Sequence, residues 1–150
     1  MQKLLVAVDG SDYTSKVIDM AKKISNNTNC KITLVTVLNT PDFLGPFAET
    51  SIEYMEKDIS KEEELKQKAE KHGENILKEV ADIINNQNLV ISKKVLYGNP
   101  AHEICELAKI NGFDLIIVGE KGKNKASKFL LGSIATKVVR YAPCSVLVVK

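Results

Sequence analysis

Five short runs dominated by Val, Ile and Leu recur along this chain, and segments of helical periodicity separate most of them. The runs are Lys3–Val8 (KLLVAV), Lys31–Leu38 (KITLVTVL), Val90–Tyr97 (VISKKVLY), Asp114–Gly119 (DLIIVG) and Ser145–Val149 (SVLVV). Nearly continuous apolar runs of this length are what strands covered on both faces look like. Between the first two, Tyr13–Ser25 carries Val17, Ile18, Met20, Ala21 and Ile24 at helical spacing, with Ser11 as its N-cap. Lys61–Asn86 carries Leu65, Ala69, Ile76, Leu77, Val80, Ile83 and Ile84 on one face. Asn99-Pro100 reads as an N-cap followed by Pro at the first helical position. The stripe Ala101, Ile104, Cys105, Ala108 follows, and Gly112 stops that helix. Ser133 reads as the cap of a last helix carrying Ile134, Val138 and Val139, ending before Pro143.

The order β-α-β-α-β-α-β-α-β predicts an α/β, Rossmann-like fold: a single open five-stranded parallel sheet with helices on both faces. At 150 residues the chain is expected to form one domain, 1–150. In such sheets ligands bind beyond the carboxyl ends of the strands, where the strand order reverses. The segments to search are therefore Asp9–Asp12, Asn39–Pro46, Gly98–Pro100 and Gly119–Ser133. The stretch Asn39–Ser60 reads equally as a lid, an early helical turn or a mobile connection, with Ile52, Met55 and Ile59 hinting at a helical face.

Composition narrows the function classes. Apolar residues make up 44% of the chain and charged residues 27%, which excludes disordered and fibrous classes. The charge balance of 21 basic against 19 acidic residues argues against a dedicated nucleic-acid binder. Leu4–Val8, Leu115–Val118 and Val146–Val149 fall far short of the roughly 20 apolar residues of a spanning helix. Asp9 interrupts the first run too early for a secretory leader. Three isolated cysteines, 30, 105 and 144, without C-x-x-C spacing, predict reduced thiols and a cytoplasmic protein.

The strongest chemical signal is Gly119-Glu120-Lys121-Gly122, nine further residues, then Gly132-Ser133. It follows the fourth strand and opens the last helix. Glycines allow close backbone approach and positive φ, and a helix N-terminus offers free N–H groups and a positive dipole end. With the Ser133 hydroxyl and four lysines at 121, 123, 125 and 128, this describes a phosphate cradle. The plainer reading is a pair of tight turns and a helix cap. A P-loop is excluded because G-x-x-x-x-G-K-[ST] is absent, and no G-x-G-x-x-G follows the first strand. Asp9 in Val8-Asp9-Gly10-Ser11 sits where a carboxylate accepts bonds from a ribose or base, or holds a metal; Asp-Gly is equally a turn pair.

Ala7-Val8-Asp9-Gly10-Ser11, the G-x2-G-x9-G-S loop and the ending Ala142-Pro143-Cys144-Ser145-Val146-Leu147-Val148-Val149 together resemble the universal stress protein family. The resemblance runs from Lys3 to Lys150 and is weakest over Pro41–Glu64. It implies an adenine nucleotide alpha hydrolase-like fold of the ATP-binding branch, often a homodimer, here through the C-terminal strand. Carried over by position, Ala7, Val8 and Asp9 lie near the adenosine, and Val37 faces the adenine through its backbone. Val118, Gly119, Lys121 and Gly122 border ribose and phosphates, while Gly132, Ser133 and Ile134 hold the phosphate chain with Mg or Mn. Glu120 departs from the small residue usual in the family, and Lys121 from the usual His or Arg. Lys meets phosphate as a point charge without the planar fork of Arg.

Asp9 and Glu120 are the only acids near the expected site, and neither belongs to an evident base or nucleophile constellation. The chain therefore reads as an ATP-binding regulatory protein acting on an unknown protein partner, with at most slow hydrolysis. The alternatives are a non-nucleotide interaction module of the same fold or a weak ATPase. ATP is expected to order the loop Lys121–Lys128. His72 and His102 read as surface or packing residues, and Cys105 and Cys144 as small buried hydrophobes. The run Lys57–Lys71 reads as a solvated helix face with pairs such as Glu62–Lys66 and Glu64–Lys68.

Overall fold

Leu4, Leu5 and Val6 have no exposed surface, and the strand that carries them is the middle of the sheet. The computed structural model describes residues 2–26, 28–38, 59–84, 90–122 and 130–150. Its strands are β1 (Gln2–Ala7), β2 (Cys30–Leu38), β3 (Val90–Tyr97), β4 (Leu115–Gly119) and β5 (Ser145–Val149). Its helices are α1 (Tyr13–Asn26), α2 (Ile59–Ile84), α3 (Pro100–Asn111) and α4 (Ser133–Tyr141). The stretch 39–58, read above as lid, turn or connection, lies outside the described residues, as do Lys123, Lys125 and Lys128.

The strand order is β3-β2-β1-β4-β5, and every pairing is parallel. Side chains alternate across this sheet, so one apolar run feeds two cores. Leu4, Val6 and Val8 face one way, with Val17, Ile18 and Ala21 of α1 and Leu77, Val80 and Ile84 of α2. Leu5 faces the other way with Ile116 and Val118, against Ala101, Ile104 and Ala108 of α3 and Ala135 and Val138 of α4. The expected fold class, with helices on both faces, is the one observed. At the lower edge, Lys3 and Asp114 clamp β1 to the start of β4. Lys3 N–H donates to Asp114 Oδ2 at 2.7 Å, and Asp114 N–H donates to Lys3 O at 3.0 Å.

α3 follows its sequence signals closely. Asn99 sits at φ −75°, ψ 117° and its side chain accepts from His102 N–H at 3.3 Å, with Pro100 next in line. At the other end Gly112 takes the left-handed region at φ 60°, and its N–H reaches back to Ala108 O.

Five expectations are corrected. Ser11 does not cap α1. Asp9 Oδ1 accepts from Ser11 N–H at 2.9 Å, and the turn this closes leaves the Ser11 hydroxyl buried without a hydrogen bond. Ser133 is the first helical residue rather than the cap; Gly132 occupies the cap position, with no side-chain bond. Leu65 and Ile83 of α2 are 46% and 55% exposed. The helix core-facing line runs instead through Gly73, Leu77, Val80 and Ile84, one every three or four residues, and Ile83 falls on its flank. β3 is not covered on both faces: as an edge strand it exposes Ser92, Lys93 and Lys94. The Glu64–Lys68 pair forms at 2.7 Å, but Lys66 lies over the Tyr97 ring, 5.6 Å from its centre, instead of pairing with Glu62.

Candidate functional site

The chain passes from β1 to β2 and β3 on one side, then crosses to β4 on the other. The order therefore reverses between β1 and β4. A cavity of about 290 Å³ lies beyond their carboxyl ends. That is close to the lower end of the roughly 300–1,000 Å³ typical of small-molecule sites. The residues named from sequence line it: Ala7, Val8 and Asp9 after β1, Val37 of β2, Val118, Gly119, Lys121 and Gly122 at the end of β4, and Gly132, Ser133 and Ile134 at the start of α4.

The glycine end is built from backbone in close contact. Glu120 N–H donates to Val149 O at 2.7 Å, which carries the β4–β5 ladder one residue past the strand. Gly132 N–H then donates to Glu120 O at 2.8 Å, tying the start of α4 to the end of β4. A Cβ on Gly132 would stand 2.8 Å from Glu120 O and 3.2 Å from Lys121 Cα. On Gly119 it would stand 2.9 Å from Tyr13 Cβ, and on Gly122 2.8 Å from Asp9 Oδ2. None of these three has positive φ, so they serve close approach, not the left-handed conformation anticipated as a second use. In the first segment that role falls to Gly10, at φ 75°.

Because α4 has no side-chain cap, the N–H groups of Ser133, Ile134 and Ala135 have no acceptor within the helix, and these three residues line the cavity. The Ser133 side chain is exposed beside them. This arrangement suits an anion. Lys121, the one lysine of the loop among the described residues, lines the same cavity.

The opposite end is apolar and two strands away, roughly 10 Å at the usual spacing. Val35, Val37 and Leu38 of β2, Ile76 of α2, and Pro100 and Ile104 of α3 form its walls. Val8 N–H donates to Val35 O at 2.9 Å, the last β1–β2 bond, before the chain turns at Gly10. Backbone groups alternate sides along a strand, so Val37 directs its N–H and C=O the same way as Val35, into the space β1 has left. Sequence reasoning missed the contributions of Tyr13, Thr14, Thr36, Ile76 and Ile104, marked Pro100 only within a segment to search, and treated His72 as chemically silent; all line the cavity. The periodicity of α2 marks Ile76 as apolar, but no signal in the sequence shows which residues of α2 stand level with the sheet's upper edge.

Two thiols lie near the site's supporting layer. Burial raises the pKa of Cys105 and Cys144 above the ordinary thiol value; Cys105 sits in the core on the α3–α4 face, while Cys144 is half-buried against it, short of the buried position expected from sequence. Among the described residues no group of three or more His, Cys, Asp or Glu is gathered as a metal-binding cluster.

The universal stress protein family model matches residues 1–150, the whole chain. The chain belongs to the universal stress protein family. It is 33% identical over 149 residues to the universal stress protein MJ0531 of Methanocaldococcus jannaschii, covering 99% of this chain and 82% of that one. The solved universal stress protein UspA from Lactobacillus plantarum superposes with a TM-score of 0.80 at 26% identity, over 99% of this chain and 97% of the other. A universal stress protein solved in complex with cAMP matches with a TM-score of 0.67 at 25% identity, over 99% and 95% of the two chains. The chain has the five-stranded parallel sheet of these solved relatives, with a cavity at its switch point. No helix among its described residues is long and apolar enough to cross a membrane.

Proposed function

We propose that this universal stress protein binds ATP at the switch-point cavity and acts as a nucleotide-dependent regulatory protein in a stress response. The observation that carries the reading is Gly132. It starts α4 without a side-chain cap and packs so closely on the end of β4, its N–H on Glu120 O at 2.8 Å, that a Cβ there would collide with Glu120 O. That close pass sets the N–H groups of Ser133, Ile134 and Ala135 at the cavity, where phosphate oxygens can accept from them. The apolar end, with the backbone of Val37 directed into it, suits a purine. The complex of a related universal stress protein with cAMP supports an adenine nucleotide as the class of ligand.

In this reading Ala7, Val8 and Asp9 border the adenosine, Val118, Gly119, Lys121 and Gly122 border ribose and phosphates, and Gly132, Ser133 and Ile134 hold the phosphate chain. Mg or Mn would be carried mainly by the phosphates, with the Ser133 hydroxyl as a protein oxygen available to it, since a small divalent ion keeps most of its water. Among the described residues the site shows no base and nucleophile set against each other, so the reading is of binding, with hydrolysis slow at most. Bound phosphates would tie the loop after β4 to α4, and the changed surface would be what a protein partner reads.

The same reading includes a cytoplasmic homodimer. β5 pairs with β4 on one side and is the last strand of the described sheet on the other, so its outer backbone groups are free to pair with a second copy. Nearby α4 and the residues before it expose Leu130, Val139 and Tyr141.

Calorimetric titration of nucleotide-stripped protein with ATP and magnesium tests the central proposal. Binding to the wild type, weakened at least tenfold in Gly132→Val, Ser133→Ala, is the expected result. No heat at millimolar ATP would overturn it and favour an interaction module of the same fold. Light scattering at micromolar concentration tests the dimer; a monomer mass would refute it.

A further inference from the structure

α2 has 26 residues, about 39 Å of helix at the usual rise. β2, the strand it covers, has nine residues and spans about 30 Å. α2 packs on the sheet through its later turns and stands past the strand ends with its earlier ones. Gly73 marks the level of the edge: a Cβ there would lie 3.2 Å from Thr36 Cγ2 and 3.5 Å from Leu38 Cδ2. The residue before it, His72, is therefore the first on α2 to stand at the mouth of the apolar end, and it lines the cavity together with Ile76, one turn further on. Pro100 and Ile104 face that end from the opposite helical layer. The end is thus a slot between two layers, with the upper part of β2 as its floor. His72 contributes the only aromatic ring at that end of the described cavity. Its side chain is exposed, and among the described residues no hydrogen bond or ion pair engages it. A flat ring in a slot of this kind, unengaged and beside the backbone of Val37, has the chemistry to cover the face of a planar base.

We infer that His72 closes the base end of the cavity, packing its imidazole on the purine of the bound nucleotide and so setting preference for purines over pyrimidines. This rests on the nucleotide reading above. His72 is a positioning and specificity residue in this account: it touches the base and takes no part in any bond change.

The test is a set of titrations with adenosine, ATP and CTP against the full chain and its His72→Ala and His72→Phe variants. Far-ultraviolet circular dichroism verifies that the exposed substitution leaves the fold intact. A base stacked on one ring predicts that His72→Ala loses about tenfold in affinity for adenosine and for ATP alike. His72→Phe should recover most of that loss, and the ATP-to-CTP affinity ratio should fall in His72→Ala. A loss for ATP without a loss for adenosine would overturn the inference, because the ring would then be acting on the phosphates. Unchanged affinity in His72→Ala while the wild type binds ATP would also overturn it and leave the nucleotide reading standing. A wild type that binds none of the three would remove the nucleotide reading, and this inference with it.

Discussion

Replacing Gly132 with Ala tests the close pass between the end of β4 and the start of α4. The added methyl carbon would stand 2.8 Å from Glu120 O and 3.2 Å from Lys121 Cα. Both are main-chain atoms, so no side chain can swing aside. Glu120 is itself held by its N–H bond to Val149 O at 2.7 Å, and Gly132 by its bond to Glu120 O at 2.8 Å. Relief must come from moving the strand end or the helix start. Forcing one extra carbon into a packed site of this kind costs about 1–3 kcal/mol. For a domain of this size each kcal/mol lowers the melting temperature by about 2–4 °C. Equilibrium urea unfolding followed by circular dichroism should show a lower midpoint with an unchanged slope. Gly122→Ala is the comparison. Its new carbon would meet Asp9 Oδ2 at 2.8 Å, the tip of a side chain that can turn, so the stability loss should be smaller. A Gly132→Ala protein within about 0.5 kcal/mol of the wild type, the range of an ordinary surface change, would refute the claim that the pass is rigid.

Asn99→Ala should lower stability by about 1 kcal/mol through loss of the α3 cap, whose side chain accepts from His102 N–H at 3.3 Å, as read by the same unfolding assay. Gly112→Ala meets no atom within 4 Å yet should cost about 1–2 kcal/mol, because φ 60° is unfavourable for a residue with a Cβ. Burial raises the pKa of the Cys105 and Cys144 thiols in the folded chain, so the native state holds those protons more tightly than the unfolded one. Their contribution is full below the ordinary thiol pKa and is lost as pH rises through the raised values. Unfolding curves taken across the alkaline range should therefore show falling stability, less steeply in a Cys105→Ala, Cys144→Ala protein. The two thiols should also react more slowly with iodoacetamide at pH 8 than a peptide thiol does, until urea exposes them.

The sequence carried the layout of the fold because the relevant signals are local. Runs of Val, Ile and Leu bounded by turn residues placed β3 and β5 at their observed limits and the other strands to within one residue. Asn99, Pro100 and Gly112 bounded α3 because capping is decided within a few residues. Sheet order is not local, and the edge position of β3, with Lys93 and Lys94 exposed, emerges only when strands are ordered in space. The cap readings of Ser11 and Ser133 failed for the same reason at shorter range. The carboxylate of Asp9 claims the Ser11 N–H, and the tie of Gly132 to Glu120 sets where α4 begins. The glycine end of the cavity was legible because its motif follows a strand and opens a helix. The base end was only partly so, since it is assembled from β2, α2 and α3. His72 belongs to it only because α2 outruns the strand beneath.

The most direct measurement of the central claim is an amide NMR titration of nucleotide-stripped protein with ATP and magnesium. The account predicts shifts concentrated at Val37, Gly119, Gly122, Gly132, Ser133 and Ile134, saturating together, while Gly112 at the far edge of the sheet stays put. Shifts that bypass those amides, or none at millimolar ATP, would contradict it.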